Sequence, residues 1–415
     1  MRKLLVLGAG TAGTMIVNKL RHQLKASEWK ITVVDQDDDH HYQPGYLFLP
    51  FGTYTADQIT RSRHSFIPDG VEFVIGEVDQ IDADTNTVTL IGGKSLTYDY
   101  LVIATGVTPR PDQTPGMLGD EWGRSIFDFY SFAGAQALTA ALESFDGGRF
   151  VVHITDMPIK CPVAPLEFTF LAEAYFRERG IRDRVEMVFV TPLSGAFTKP
   201  ISSARLGSML EARKVHVETD FMIERIDPDT KTLVSYDERE IGFDLLVTVP
   251  LNMGADFVAR SGLGDELNNV PVDKHTLLST KHANIFAVGD ASNIPASKAG
   301  SVAHFAVEIF VDNFLQHVQG EPMTGSFDGH ANCFIESGDG KGLLIDFNYD
   351  TEPLTGKYPL PVLGPFSLLA ESRANHLGKL AFRWMYWNLL LPGRPIPLPA
   401  HMSMLGKHTE RQGVS

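Results

Sequence analysis

Phe150-Val-Val-His-Ile-Thr-Asp-Met-Pro-Ile-Lys160-Cys161-Pro-Val-Ala-Pro-Leu-Glu167 opens as an apolar strand, breaks at a turn and runs on through Phe168 to Arg177 as a helix. In an α/β chain, that junction is where a glycine-rich loop sets a phosphate on the helix N-terminus. Here prolines, which lack the N–H a phosphate needs, stand in place of the glycines, together with a lysine, a cysteine and a carboxylate six residues beyond it. The segment predicts a nucleotide-type fold whose loop has been given over to thiol chemistry rather than to a phosphate.

Upstream, Lys3-Leu-Leu-Val-Leu-Gly8-Ala-Gly10-Thr-Ala-Gly13 is an apolar strand, a tight turn and a helix start in the G-x-G-x-x-G spacing. Gly8 permits the turn, Gly10 lets the backbone approach a pyrophosphate, and Gly13 allows close packing of helix on strand. Trp29 to Asp35 reads as the second strand, ending in an acid about twenty residues beyond the glycines, where a ribose 2′-hydroxyl is held. Tyr98-Asp-Tyr-Leu-Val-Ile-Ala104-Thr105-Gly106 is a buried-type strand, and Phe243-Asp-Leu-Leu-Val-Thr-Val-Pro250 repeats its pattern as though a second domain copied the first. Asn284-Ile-Phe-Ala-Val-Gly289-Asp290 is a further strand that stops at Gly-Asp. The expected class is α/β, with two Rossmann-like dinucleotide-binding domains in tandem and a C-terminal domain. Residues 1–112 and 284–325 form the first, residues 113–283 the second, which lacks a nicotinamide fingerprint, and residues 326–415 the C-terminal domain.

A chain of 415 residues holds two or three such units. Only two cysteines, Cys161 and Cys333, exclude a disulfide-stapled secreted scaffold but leave room for a redox pair. The net charge of −15 argues against nucleic acid. It is unevenly spread: residues 371–415 carry six Lys/Arg against two Glu, a net +4, leaving −19 elsewhere. Met1-Arg2-Lys3 runs straight into a strand with no small-residue cleavage site, so no secretory leader is expected. Asp37-Asp-Asp-His40-His41 offers metal-ligand types, but adjacent residues in a strand-end loop point in different directions; a solvated acidic loop accounts for them, and no metal site is expected.

Gly8/Gly10/Gly13, Asp35, Ala104-Thr105-Gly106 and Gly289-Asp290 resemble, in order and separation, the two-dinucleotide flavoproteins of the disulfide-reductase superfamily. The resemblance implies FAD held by this set, with Asp290 on its ribityl and pyrophosphate portion. Lys160-Cys161-Pro-Val-Ala-Pro-Leu-Glu167 and Asn332-Cys333-Phe-Ile-Glu are similar to the paired cysteine segments of the sulfide:quinone oxidoreductases and of the flavocytochrome c sulfide dehydrogenase flavoprotein. Ala296-Ser-Lys298-Ala-Gly300 matches the lysine loop that sits near the flavin pyrimidine ring. The likeness covers roughly residues 1–400. It implies a disulfide or trisulfide between Cys161 and Cys333, opened by HS⁻ to a persulfide and a thiolate, with two electrons passing through FAD to a membrane quinone. Lys160 is expected to lower the pKa of Cys161, and Glu167 either moves protons or is a first-turn acid favoured by the helix dipole. The thiols that other members carry near residues 124–130 and 42–54 are missing. Non-covalent FAD is therefore expected, with sulfur leaving as polysulfide or passing to a small acceptor.

Asn375 to Leu391 looks helical, with His376, Lys379 and Arg383 as a polar stripe and aromatic and aliphatic residues over the remaining circumference. It is too short and too interrupted to span a bilayer. It suits the interface, with Trp384, Tyr386 and Trp387 at headgroup depth. The resemblance adds Lys379 and Phe382 beside the quinone and a monotopic attachment to the cell or inner membrane through this segment. Deleting residues 372–415 is expected to leave a soluble protein that still takes electrons from sulfide. Three other readings compete: the cytochrome-linked sulfide dehydrogenase subunit, a type II NADH dehydrogenase, and a flavin-bearing membrane-associated protein without turnover. Homo-oligomerisation is left open.

Overall fold

The strand Arg2–Leu7 runs into Gly8, at φ +97°, and the helix Thr11–Gln23 follows. A Cβ on Gly8 would stand 2.5 Å from the Ala104 carbonyl oxygen, and one on Gly13 would stand 1.8 Å from that of Gly8, so backbone crowding demands glycine at both. Gly10 differs: among the described residues nothing lies within 4 Å of the place its Cβ would take, because it borders a cavity. The structure is a computed structural model that describes residues 1–396 and 398–409.

Two parallel five-stranded sheets repeat one plan. In the first the order is Ile285–Ala287, Tyr100–Ile103, Arg2–Leu7, Trp29–Asp35, Val71–Ile75; in the second it is Ile126–Phe127, Leu245–Val249, Gly148–Ile154, Val185–Val190, Val215–Glu218. Both are doubly wound, with the Φ-D-x-L-V strand beside the strand that opens each unit. The repeated aspartate has a physical reason. Asp99 accepts the Lys3 N–H at 2.6 Å and returns its own N–H to the Lys3 carbonyl at 2.9 Å; Asp244 does the same with Arg149, at the same two distances. Each acid therefore satisfies an exposed donor where two parallel strands begin, and sets their register.

The packing departs from the expected boundary at residue 283. Phe257, Val258, Leu263, Val270 and Val272 join Leu5, Val34, Leu101 and Ile103 in the core under the first sheet. This segment holds only the short helix Asp256–Arg260 and isolated bridges, so it offered no periodic pattern from which to assign it.

A third sheet follows, ordered Ala331–Gly338, Lys341–Phe347, Phe366–Leu368, Gly356–Tyr358. The helix Arg373–Met385 packs on it, capped by Ser372, and passes into a wide π turn, Tyr386–Leu390. Its orientation is the reverse of the expectation. His376 reaches Glu336, Lys379 is buried on Glu167, and the Arg383 guanidinium lies 4.3 Å from the Tyr54 ring centroid. The cationic stripe faces the protein, and Leu377, Ala381 and Trp384 form the exposed one. Tyr386 and Trp387, expected at headgroup depth, are core residues at 3% exposure each, and Leu390 and Leu391 are buried with them. Among the described residues no helix is long and apolar enough to cross a membrane.

Candidate functional site

A cavity of about 770 Å³ runs between the sheets. It is lined by Gly8, Gly10, Asp35, the Ala104-Thr105-Gly106 turn, Gly289, Asp290 and Lys298, and also by Lys160, Cys161, Glu167, Lys379, Phe382 and Tyr386. Asp35 accepts the Ala9 N–H at 2.7 Å and pairs with Arg63 at 3.1 Å; burial raises its pKa against the pull of that guanidinium. Of the expected metal-type run, Asp38 accepts the Ser62 hydroxyl at 2.7 Å, and the buried His40 meets the Tyr386 hydroxyl at 2.7 Å. Gly10 leaves the space a pyrophosphate needs, and the Thr105 hydroxyl is buried without a partner among the described residues. A cavity of this volume with a glycine turn at a helix N-terminus and the unpaired Thr105 hydroxyl fits a dinucleotide cofactor.

The Lys298 ammonium donates to Asn269 Oδ1 at 3.0 Å and to the carbonyls of Asp290 at 2.6 Å and Ser292 at 3.1 Å. It borders the cavity while tying these loops together. Its backbone carbonyl accepts the Cys161 N–H at 2.6 Å, which joins the thiol loop to the Gly289-Asp290 turn. Burial raises the Asp290 pKa, opposed by Lys298 and Lys160.

Cys161 sits at φ +80°, a left-handed conformation that a non-glycine residue adopts at a cost. Its neighbours hold it there. Besides the bond from its N–H to Lys298, its carbonyl accepts the Ala164 N–H at 2.8 Å and the Tyr130 hydroxyl at 3.0 Å, and Asn252 Oδ1 accepts the Lys160 N–H at 3.2 Å. Cys333 arrives from the strand Ala331–Gly338, its sulfur 3.9 Å from the Ser301 hydroxyl at the start of the helix Gly300–Val318. Both thiols are free, and charge on Cys333 would raise Cys161 further.

The thiol electrostatics differ from the expectation. Burial pushes Cys161 well above its ordinary value, with Glu167 and Cys333 adding to the rise, and the cation that opposes them is Lys379 rather than Lys160. Cys333 is pushed up to about 11 by burial, with Ser301 and Lys379 pulling the other way. The Lys160 pKa falls to about 8 through burial, against the charges of Asp290 and Asp128. Lys160 and Cys161 both line the cavity, but adjacency in sequence does not make this lysine the charge that acts on the thiol.

Glu167 and Lys379 were read from the sequence as members of separate thiol and quinone sites. They form one buried ion pair. Glu167 also accepts the Glu336 N–H at 2.7 Å, and Lys379 also donates to the Phe334 carbonyl at 3.0 Å. Burial raises the Glu167 pKa. For Lys379, burial alone would lower it, but the charges of Glu167, Cys161 and Glu336 outweigh this and the net shift is upward. The Glu336 carboxylate meets His376 Nδ1 at 2.9 Å, and His376 is a quarter exposed, at 24% of its side chain. Glu336 thus touches Glu167 through its backbone N–H and His376 through its carboxylate. Phe382 lines the cavity with Tyr386, whose hydroxyl bonds Thr11 at 2.8 Å on the first glycine helix. Sequence reasoning missed Tyr130, Asn252 and Glu336, since isolated polar residues without a spacing rule carry no local signal, and it read His376 only as part of a solvated polar stripe.

The family model described as pyridine nucleotide-disulphide oxidoreductase matches residues 2–308. The mitochondrial sulfide:quinone oxidoreductase of Mus musculus is 26% identical over 398 residues, covering 94% of this chain and 86% of that protein. That of Dictyostelium discoideum is 27% identical over 398 residues, with the same coverage. The solved structure of the sulfide:quinone oxidoreductase from Aquifex aeolicus superposes with a TM-score of 0.77 at 21% identity, covering 95% of this chain and 92% of that one, a likeness of fold.

Proposed function

From the premise that the chain belongs to the pyridine nucleotide-disulphide oxidoreductase family, we propose that it works as a sulfide:quinone oxidoreductase, oxidising sulfide at Cys161 and Cys333 and passing two electrons through non-covalently bound FAD to a membrane quinone. The observation that carries this reading is the free, left-handed Cys161 at the wall of the dinucleotide cavity, where a nicotinamide enzyme of this fold needs glycines. The names of the full-length relatives agree with it.

The residues that would hold FAD are Gly8, Gly10, Gly13, Asp35, Ala104, Thr105, Gly106, Gly289, Asp290 and Lys298. FAD supplies storage of an electron pair between thiols and quinone. The chain supplies the rest. HS⁻ attacks one sulfur of an oxidised Cys161–Cys333 bridge, one cysteine leaves as thiolate, and the other keeps the incoming sulfur as persulfide. Lys160, facing the cavity, attracts the anion, and Lys379 steadies the thiolate. Converting HS⁻ to sulfane sulfur releases one proton and two electrons, whereas reducing a quinone consumes two of each, so every turnover draws one proton from solvent. Glu167 and Lys379 hold protons between the two reactions, and the Glu336–His376 pair gives that store a partly exposed end. Lys379 and Phe382 face the quinone, and sulfur leaves as polysulfide or on a small acceptor.

The membrane surface is the source of that quinone. Support comes from the inverted C-terminal helix, which turns His376, Lys379 and Arg383 toward the protein and exposes Leu377, Ala381 and Trp384. Anaerobic titration of the yellow protein tests the reading. Sulfide should bleach the flavin while NADH leaves it oxidised, and Cys161→Ser or Cys333→Ser should retain FAD but lose the bleaching. Bleaching of either variant at the wild-type rate, or reduction by NADH alone, would overturn it.

A further inference from the structure

We propose that the loop Pro359–Pro365 is a lipid-inserting tip that enters an anionic bilayer beside the C-terminal helix. The inference rests on the membrane-surface reading above and adds an element outside the helix. The loop joins Gly356–Tyr358 to Phe366–Leu368, which pair antiparallel. It carries Val362 at 88% and Leu363 at 83% exposure, the most exposed large apolar side chains among the described residues, with Leu360 at 50%.

Scattered exposed aliphatics are ordinary, so the argument rests on what surrounds these. The loop has little backbone to desolvate. Three of its seven residues are prolines without an N–H, the Leu363 N–H donates to the Pro361 carbonyl at 2.6 Å, and the Gly364 N–H donates to that of Leu360 at 3.0 Å. Of its N–H groups only those of Leu360 and Val362 remain to be satisfied, which lowers the cost of bringing this irregular backbone to the edge of an apolar phase.

The tip also continues into other apolar surface. Gly406 packs on it, a Cβ there standing 3.1 Å from Pro361 N, and the residues before it, Met404 and Leu405, are themselves exposed. Phe366, at the base, lies against Gly378 and so adjoins the outward stripe of the helix. The charge suits lipid in particular. In a chain of net −15, no Asp or Glu occurs from 353 to 370, an exposed cation, Lys357, stands at the base of the loop beside Ser367, and a second, Arg373, opens the C-terminal helix.

Co-sedimentation of the full-length holoprotein with vesicles of equimolar phosphatidylcholine and phosphatidylglycerol tests the proposal, comparing wild type, the double variant V362D/L363D and W384A. Charge at two solvent-exposed positions leaves the fold intact, so flavin content and bleaching by sulfide should stay at wild-type levels. Vesicle binding of the loop variant should fall roughly tenfold or more, since two aliphatic side chains lose their burial in lipid. Wild type and V362D/L363D sedimenting alike would overturn the loop's role and leave the membrane reading standing. Wild type that ignores the vesicles would overturn both. A wild-type oligomer that the double variant dissociates without any vesicle binding would reassign the loop to contact between copies.

Discussion

The Glu167 carboxylate and the Lys379 ammonium, 212 residues apart in the chain, meet at the wall of the cavity that Cys161 also lines. The pair joins the helix that follows the Cys161 loop to the C-terminal helix, and on the proposed function it would couple the sulfide and quinone ends. Removing either partner strands a buried charge, at a cost of about 3–5 kcal/mol. Glu167→Gln and Lys379→Met should each lower stability by about that amount in denaturant unfolding, and the double variant should lose less than the sum. In rapid mixing, Lys379→Met should still be reduced by sulfide, and reoxidation by quinone should slow by an order of magnitude or more, about 1.4 kcal/mol of barrier per tenfold. Additive single effects would mean that the two act independently.

Lys160 gives the sulfide reaction a pH signature. Its folded pKa is depressed from 10.5 to about 8 by burial, so below pH 8 the folded chain bears the cost of a buried ammonium that the unfolded chain escapes. That cost is relieved as pH rises from about 8 toward 10.5, and stability should rise over this window. Attraction for HS⁻ runs in the opposite direction, being present below pH 8 and lost above it. At sub-saturating sulfide, the rate of flavin bleaching should therefore bend downward near pH 8. Lys160→Arg, which keeps its charge, should remove the bend, and Lys160→Met should lower the whole profile and flatten it. A bend that persists near pH 8 in Lys160→Arg would assign it to another group.

Much of the fold was legible because it is written in local rules. The glycine spacing, the Asp35 that ends the second strand and the repeated Φ-D-x-L-V strands each follow from a turn, a cap or a period, and the Lys3–Asp99 and Arg149–Asp244 pairs explain why the last pattern occurs twice. The residues singled out at Cys161, Glu167, Lys379 and Phe382 do border one cavity. What was not legible depends on which way a surface faces. A helix with His376, Lys379 and Arg383 along one side looks solvated on that side unless it is known that Glu336, Glu167 and Tyr54 wait beneath it. The basic tail was overcounted for the same reason, since Lys379 and Lys407 are neutralised in the interior by Glu167 and Asp346.

The left-handed backbone at Cys161 yields a test that does not depend on turnover. A glycine there relieves the steric cost of φ +80°, whereas alanine keeps it, so Cys161→Gly should be more stable than Cys161→Ala by about 1 kcal/mol. Tyr130→Phe removes the hydroxyl that bonds the Cys161 carbonyl and should cost about 1 kcal/mol. With its clamp loosened, Cys161 should also react faster with a small alkylating agent, read by mass spectrometry of the modified peptide, while Cys333 keeps its rate. Equal stability of the glycine and alanine variants would show that the turn relaxes at no cost.

The C-terminal segment makes the last prediction, and here the structure reverses the expectation from sequence. Deleting residues 372–415 looked harmless because the segment resembled a detachable anchor. Tyr386, Trp387, Leu390 and Leu391, however, are at most 3% exposed and belong to the main core. Tyr386 bonds both Thr11 and His40, Trp387 stacks on Phe66, and the Leu391 carbonyl accepts from Asn18 Nδ2 at 3.0 Å. Fully burying one large apolar side chain contributes about 1.5–3 kcal/mol, so losing four removes about 6–12 kcal/mol, with His40 left unpaired in addition, and that is comparable to the whole margin of about 5–15 kcal/mol that most domains possess. Truncation should give aggregated, flavin-free protein, whereas W384A, altering only the exposed stripe, should melt within about 0.5 kcal/mol of wild type. Recovery of a soluble yellow truncated protein would mean that the core around Thr11 closes without the tail.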